Sequence, residues 1–192
     1  MNVYTTDSIR NVVLLGHGGC GKTSLVEAMA YVSGLTGRLG KVSDGTTISD
    51  YDKEEIKRKF SINTSVVPLI WKDTKINLLD TPGYFDFVGE AAIIVVSGKA
   101  GVEVGTEKAW ELCEKYKLPR MFFVSEMDVD HASFREVVEK LTELYGKKIA
   151  PFYQPMRENE KFVGYINVMK MAGRRFTGIG TREECEIPEY SK

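Results

Sequence analysis

The run Gly16-His17-Gly18-Gly19-Cys20-Gly21-Lys22-Thr23 satisfies the pattern G-x-x-x-x-G-K-T and lies between the apolar stretch Val12 to Leu15 and a segment of helical spacing. In such a turn, successive backbone N–H groups converge on phosphate oxygens where a side chain would intrude, so Gly16 and Gly21 let the backbone turn. Lys22 supplies a cation to the outer phosphates, and Thr23 offers a hydroxyl to Mg²⁺. The expected nucleotide-cradling set is Gly16, His17, Gly18, Gly19, Cys20, Gly21, Lys22, Thr23 and Ser24.

Two further groups carry chemistry of the same kind. Asp80-Thr81-Pro82-Gly83 closes the stretch Lys75 to Leu79, where a nucleotide-binding fold needs a metal-organising carboxylate. Asp80 would hold Mg²⁺ through water, and Gly83 would offer its N–H to the terminal phosphate and so sense its presence. Ser125-Glu126-Met127-Asp128 follows the apolar run Met121 to Val124, the position of a base-reading loop. The Asp128 carboxylate can accept from both N1–H and N2–H₂ of guanine, a donor pair that adenine lacks.

The elements that must position these groups are legible in outline. Val12 to Leu15 is a continuous apolar run, as in a strand buried on both faces of a parallel sheet. Leu25, Ala28, Met29 and Val32 predict a helix from Lys22 to Ser33, with its N-terminal dipole toward the phosphates. Gly34 to Ser61 shows no apolar period and reads as a long loop, a class that is usually functional. Ile62 to Trp71 and Lys75 to Asp80 form an edge hairpin around Lys72-Asp73-Thr74, with Pro68 suited to an edge. Ile93 to Val96 and Met121 to Val124 are strands, and Ala109, Leu112, Cys113 and Tyr116 mark the helix between them. Ser133-Phe134-Arg135-Glu136 is a capping-box signal for a helix whose inward face is Phe134, Val137, Val138, Leu141, Leu144 and Tyr145.

This alternation predicts a three-layer α/β P-loop NTPase fold with a mostly parallel sheet and an antiparallel edge hairpin. Residues 1–150 are read as the nucleotide-binding domain, and residues 151–192 as the beginning of a small α+β insert with short strands such as Phe162 to Ile166. With 192 residues, 43% hydrophobic and 28% charged, the chain can bury a core. A net charge of −1 excludes broad electrostatic binding to nucleic acid, so any RNA contact must be local. Three scattered cysteines fit neither a disulfide framework nor a zinc site. No apolar run reaches membrane-spanning length and no signal-peptide pattern opens the chain, so a cytoplasmic monomer without membrane partners is expected.

In this order the three motifs resemble those of translational GTPases, above all elongation factor G and its paralogues. The likeness includes Asp80 to Phe87, the Gly101-Val102-Glu103 turn and Leu118-Pro119-Arg120, and it spans nearly the whole chain. It implies a GTP/GDP- and Mg²⁺-binding domain that hydrolyses GTP on the ribosome, ribosomal RNA included, to drive translocation. The alternative is a nucleotide-sensing ribosome regulator, or a ribosomal-protection paralogue, with weak turnover. An ATP-using P-loop enzyme is a third reading, disfavoured by Asp128. By the same resemblance the chain is a piece of a longer factor, without the last strand and helix of the GTPase fold.

Four departures from the family pattern stand out. Gly19 replaces a cradle aspartate, and Ser61, within Arg58-Lys59-Phe60-Ser61-Ile62, replaces the threonine that closes over Mg²⁺. Tyr84 occupies the place of the histidine that positions the attacking water. A phenol cannot take the charged role of an imidazolium, so very slow hydrolysis is expected, with Tyr84, Gly83 and Lys22 as the catalytic set. Ser125-Glu126 stands where the family has Asn-Lys, which should lower affinity more than specificity. The resemblance also implies about two to three turns of helix after Gly89-Glu90 that this sequence lacks, by omission or by deletion.

Other residues receive blander expectations. His17 is read as a packing or backbone-bonding residue rather than a catalytic one. Cys20, beside Lys22 and a helix N-terminus, is expected to have a lowered pKa. Arg58 is read mainly as loop surface, with a phosphate contact as its alternative, and Phe152, Tyr153, Phe162 and Tyr165 as the core of the insert.

Overall fold

The computed structural model describes residues 4–58, 61–82, 89–159 and 161–188. Strand β1 (Ile9–Gly16) runs at the centre of a five-stranded sheet of order β2-β3-β1-β4-β5, with β2 Ser65–Trp71, β3 Thr74–Asp80, β4 Ala91–Ser97 and β5 Arg120–Ser125. β1 pairs in parallel with β3 on one side and β4 on the other, and Val13, Leu14 and Leu15 of its apolar run are fully buried. The edge strand β2 is antiparallel to β3 and alternates, with Val67 and Leu69 buried and Val66 and Ile70 exposed. Pro68 sits in this edge strand as expected, and the hairpin turns through Lys72 and Asp73, both in the left-handed region.

Register brings the chemistry together. Leu14 faces Asp80 across one ladder and Ile93 across the other, so β1 delivers Gly16 just beyond the level at which β3 delivers Asp80. The Thr81 hydroxyl then donates to the Leu14 carbonyl at 2.6 Å, fixing the end of β3 against β1. From Thr81 to Glu90 only ten residues connect β3 to β4, which is short for a parallel crossover. At its described end the Glu90 N–H donates to the Asn11 carbonyl at 2.8 Å, and β4 begins at once with Ala91, two residues before the expected start.

Helix α1 (Lys22–Val32) follows the Gly-rich turn and buries Val26 and Ala30 in a cluster with Leu14, Leu78 and Val95. The tract expected to be one continuous loop from Gly34 to Ser61 also holds a short 3-10 turn, Val42–Asp44, and a helix α2, Lys53–Arg58. The hairpin's first strand begins at Ser65 rather than Ile62. Helix α3 (Val104–Lys115) buries Ala109 and Cys113 and opens with a capping box between Glu103 and Thr106.

The chain divides into two compact units, Met1–Val96 with Glu103–Ser125, and Ser97–Val102 with Glu126–Lys192. The second holds helix α4 (Phe134–Tyr145) and an antiparallel sheet of β6 Tyr153–Glu158, β7 Lys161–Asn167, β8 Ala172–Gly178 and β9 Thr181–Cys185, in that order. Met156 and Ile166 are buried, while Tyr153, Tyr165, Phe176 and Phe162 make a chain of ring contacts in the sheet. Tyr153 and Phe152 are exposed, so these rings are only in part the core that the sequence suggested. Of the expected inward face of α4, Val137 and Leu141 are buried and Leu144 is exposed.

The Ser133 hydroxyl accepts the Glu136 N–H at 3.3 Å and caps α4. Ser133→Ala is expected to destabilise the chain by about 1 kcal/mol, and Ser133→Asp to retain most of that stability, as read from urea denaturation followed by circular dichroism.

Candidate nucleotide and cation site

The Gly-rich turn is shaped before any ligand is considered. Gly16 has φ +142°, and a Cβ there would lie 2.4 Å from the Val95 carbonyl oxygen, so no other residue lets β1 end this close to β4. Gly21, at φ +92°, stands immediately before α1, and its carbonyl accepts the Leu25 N–H at 2.9 Å. The Lys22 ammonium is buried within the turn, donating to the carbonyls of His17 at 2.8 Å and Gly16 at 3.3 Å. An ammonium has three donors, which leaves one for an anion held by the turn. At Gly18 and Gly19 an added Cβ would meet nothing, so that side of the turn is open.

Neighbouring elements brace the turn. His17 Nε2 lies 3.5 Å from Glu103 Oε1 at the start of α3, and Gly105 is packed so closely that a Cβ would fall 2.5 Å from His17 Cα. This supports the packing reading of His17. The Ser125 hydroxyl sits 2.7 Å from the Cys20 carbonyl oxygen and 3.2 Å from that of Val96, tying the end of β5 to the cradle. Cys20 corrects an expectation: its thiol is buried, and desolvation pushes its pKa up, outweighing the nearby Lys22 charge that lowers it.

Beside the cradle lies a cluster of oxygens. Asp80 Oδ2 accepts the hydroxyls of Thr23 and Ser49, each at 2.9 Å. Ser61 donates to Asp50 Oδ1 at 2.6 Å, and its oxygen lies 2.9 Å from that of Thr23. Each hydroxyl has one proton, so with Thr23 donating to Asp80 and Ser61 to Asp50, no proton remains for the Thr23–Ser61 contact. Asp80 Oδ1 is buried without a hydrogen-bond partner among the described residues. Two facing lone pairs and a spare carboxylate oxygen, all hard donors, fit a small divalent cation such as Mg²⁺.

Both carboxylates are held above their ordinary pKa range. For Asp80 the main cause is desolvation, with the Asp50 charge adding to it, while the Ser49 and Thr23 hydrogen bonds and Lys22 act the other way. For Asp50 burial again leads; the Ser61 hydrogen bond opposes it and Glu55 reinforces it.

The structure thus gathers Thr23, Ser61 and Asp80 and adds Ser49 and Asp50, which sequence reasoning missed. These two lie in the aperiodic loop, where length alone hinted at a function. Ser24 is in the first turn of α1. Arg58 is exposed and pairs with Glu54 at 3.1 Å. Gly83 and Tyr84 lie outside the described residues.

Glu126 and Asp128 belong to the second unit. Glu126 adopts φ +54°, and its carboxylate accepts the Ser97 hydroxyl in a short hydrogen bond. Asp128 is exposed in a loop held by Arg157, whose guanidinium donates to the carbonyls of Met127 at 2.7 Å and Ala132 at 3.1 Å.

A cradle at a strand–helix junction, with a carboxylate one strand away, defines a P-loop nucleotide-binding domain of α/β class. The family model described as the elongation factor Tu GTP-binding domain matches residues 7–181, and the chain belongs to that family. Among relatives, an elongation factor G-like protein of Mycobacterium tuberculosis is 36% identical over 199 residues, covering 96% of this chain and 27% of its own length. A mitochondrial ribosome-releasing factor 2 of Anopheles gambiae is 38% identical over 194 residues, covering 92% and 26%. A Thermus thermophilus protein solved by crystallography superposes with a TM-score of 0.88 at 38% identity, over 95% of this chain and 29% of that one. The chain therefore spans under a third of the length of each of these relatives. No helix among the described residues is long and apolar enough to cross a membrane.

The raised carboxylate values fix the sign of a pH effect. The folded state binds these protons more tightly than the unfolded state, so the stability these two groups contribute is fully present at low pH and is lost as pH rises through the raised values. The melting temperature of the ligand-free chain is expected to fall as pH rises above the ordinary carboxylate range, and the fall to be smaller in Asp50→Asn, as read by scanning calorimetry.

Proposed function

We propose that this chain is the guanine-nucleotide-binding and hydrolysing domain of a ribosome-associated translation factor of the elongation factor G-like type. One observation carries the reading: the proton-deficient cluster of Thr23, Ser49, Asp50, Ser61 and Asp80 beside the Lys22 cradle. The names of the relatives support a place in translation, and the family supports GTP as the nucleotide.

In this reading the amides of Gly18 to Thr23 and the free donor of Lys22 bind the β- and γ-phosphates. Thr23 and Ser61 would hold Mg²⁺, with Asp80 and Asp50 behind them; when bound, the ion neutralises charge developing on the phosphates. Asp50 is a carboxylate on the cation side that the Gly19 position of the cradle no longer offers. Asp128 selects guanine through two acceptor contacts, and Ser125 and Glu126 shape the start of its loop. Gly83 would sense the terminal phosphate, and Tyr84 takes the place of the water-positioning group. Residues 1–150 are assigned to the nucleotide domain and 151–192 to the start of an insert, within a cytoplasmic, monomeric piece of the factor.

Tyr84 favours a second reading, a GTP/GDP-sensing regulator of ribosomes with weak turnover, over a motor for translocation. A phenol donates one hydrogen bond but carries no positive charge near neutral pH.

Titration calorimetry with Mg²⁺ tests the binding reading. GDP and GTP are expected to bind and ADP to bind at least about tenfold more weakly, with Lys22→Ala abolishing binding and Asp128→Ala erasing the preference for guanine. Equal affinity for ADP in the unmodified chain would remove Asp128 from its role.

Single-turnover assays of GTP cleavage address Tyr84. The unmodified chain is expected to hydrolyse GTP very slowly with or without ribosomes, and Tyr84→His to raise the ribosome-stimulated rate by about tenfold or more. Fast hydrolysis by the isolated chain would overturn this assignment.

A further inference from the structure

The residues that reach the cation cluster from the loop, Ser49 and Asp50, have no regular secondary structure to hold them. Their support comes from Glu27 on α1, a carboxylate that is 2% exposed. Glu27 Oε1 accepts the N–H of Gly40 and Oε2 the N–H of Ile48, each at 2.8 Å, so one side chain closes both ends of the segment 40–48. Within that segment Lys41 and Thr46 bond each other, Lys41 N–H to Thr46 Oγ1 at 3.0 Å and Thr46 N–H to the Lys41 carbonyl at 3.2 Å. The approach tolerates only glycine at position 40, where a Cβ would lie 2.4 Å from the Thr46 carbonyl oxygen and 2.6 Å from Glu27 Oε1.

A second carboxylate does the same for the other arm. Buried Glu55 accepts from the N–H groups of Ile62 and Asn63 at 2.9 Å and of Asp52 at 3.2 Å, close in sequence to Ser61 and Asp50 respectively. Both arms that deliver oxygens to Thr23 and Asp80 are therefore hung from buried carboxylates through backbone amides. A buried carboxylate stripped of those donors is costly, so the loop is held in one arrangement or released, with little between.

We propose that Glu27 is a positioning residue that latches the loop 40–50 over the cation site and thereby sets how much Mg²⁺ the domain needs to retain a nucleotide. Glu27 does not touch the nucleotide; it acts through Ile48 on the adjacent Ser49 and Asp50. The proposal rests on the reading of the cradle as a Mg²⁺–nucleotide site.

The test compares the unmodified chain with Glu27→Gln, which keeps the length of the side chain but loses one acceptor, and with Gly40→Ala, which pushes the loop off Glu27 and leaves that carboxylate intact. Retention of a fluorescent GDP analogue is titrated against Mg²⁺, and tryptic cleavage at the exposed Arg38 and Lys41 is timed without ligand. Both variants are expected to need about tenfold more Mg²⁺ for half-maximal retention, to bind the analogue in EDTA as the unmodified chain does, and to be cleaved several-fold faster. A merely structural role would weaken binding equally with and without Mg²⁺, and that result overturns the proposal, as does an unchanged Mg²⁺ midpoint in the folded variants. If the unmodified chain binds no analogue at any Mg²⁺ concentration, the nucleotide reading itself falls and the latch falls with it. Faster cleavage would then record only a tethered loop.

Discussion

Two carboxylates, Asp50 and Asp80, are kept out of water and take the protons of three hydroxyls, so that the oxygens of Thr23 and Ser61 face each other with none between them. Holding ionised groups this way costs several kcal/mol per ion unless opposite charge is supplied, and the lysine acting on Asp80, Lys22, is also engaged by carbonyls of its own turn. The missing charge can arrive as protons or as a cation. Protons are what the upward shifts of both groups express, and a cation would replace them with a better-matched partner. In the proposed reading the local instability and the capacity to bind are one property, and the hydrogen bonds around the cluster keep these oxygens from drifting apart.

The sheet does most of that work. With Leu14 opposite both Asp80 and Ile93, the end of β1 is held between two parallel neighbours, and the turn that follows has one way out. Gly16 accepts the resulting crowding against Val95, and Thr81 closes the gap to β3. Such positions are rigid because they sit on strand ends rather than in a free loop. The loop contribution, by contrast, has no ladder to join, and its backbone amides are satisfied by carboxylates instead, Glu27 from α1 and Glu55 from α2. Carboxylates suit this task since each offers two acceptor oxygens and forms charge-assisted bonds, stronger than neutral ones.

What could be read from the sequence follows from this division. The turn between β1 and α1, the edge hairpin and the position of Asp80 depend on local spacing or on strand order, and both leave marks in a linear chain. Ser49 and Asp50 meet the side chains of Asp80 and Ser61, and Glu27 and Glu55 take backbone N–H groups at irregular separations of three to 21 residues, so these contacts impose no period and no motif. A six-residue helix, α2, is too short and too charged to stand out from a solvated loop. Cys20 shows the opposite error. Its neighbours in sequence suggested an activating field, but its surroundings in space remove water, and desolvation of the thiolate is the larger effect. The capping box at α3 leaves no clear sequence signal because its acceptor is Glu103 rather than the usual hydroxyl or short carboxylate.

Ser125 bridges the strand end to the Cys20 carbonyl, so the shape of the cradle does not require a larger amide at that position. Glu126 engages Ser97, whose oxygen also accepts the N–H groups of Lys99 and Ala100. Its charge is therefore spent on fixing a turn. A lysine at position 126 could lay an apolar stem and a positive charge along a bound base, whereas a glutamate tied to a serine can do neither. If position 126 faces the base as proposed, binding energy would come from the phosphate and cation side, where Lys22 and the oxygen cluster lie. In the proposed reading a nucleotide held in this way would be released when the cation site opens, and the loop 40–50 would be the element that controls it.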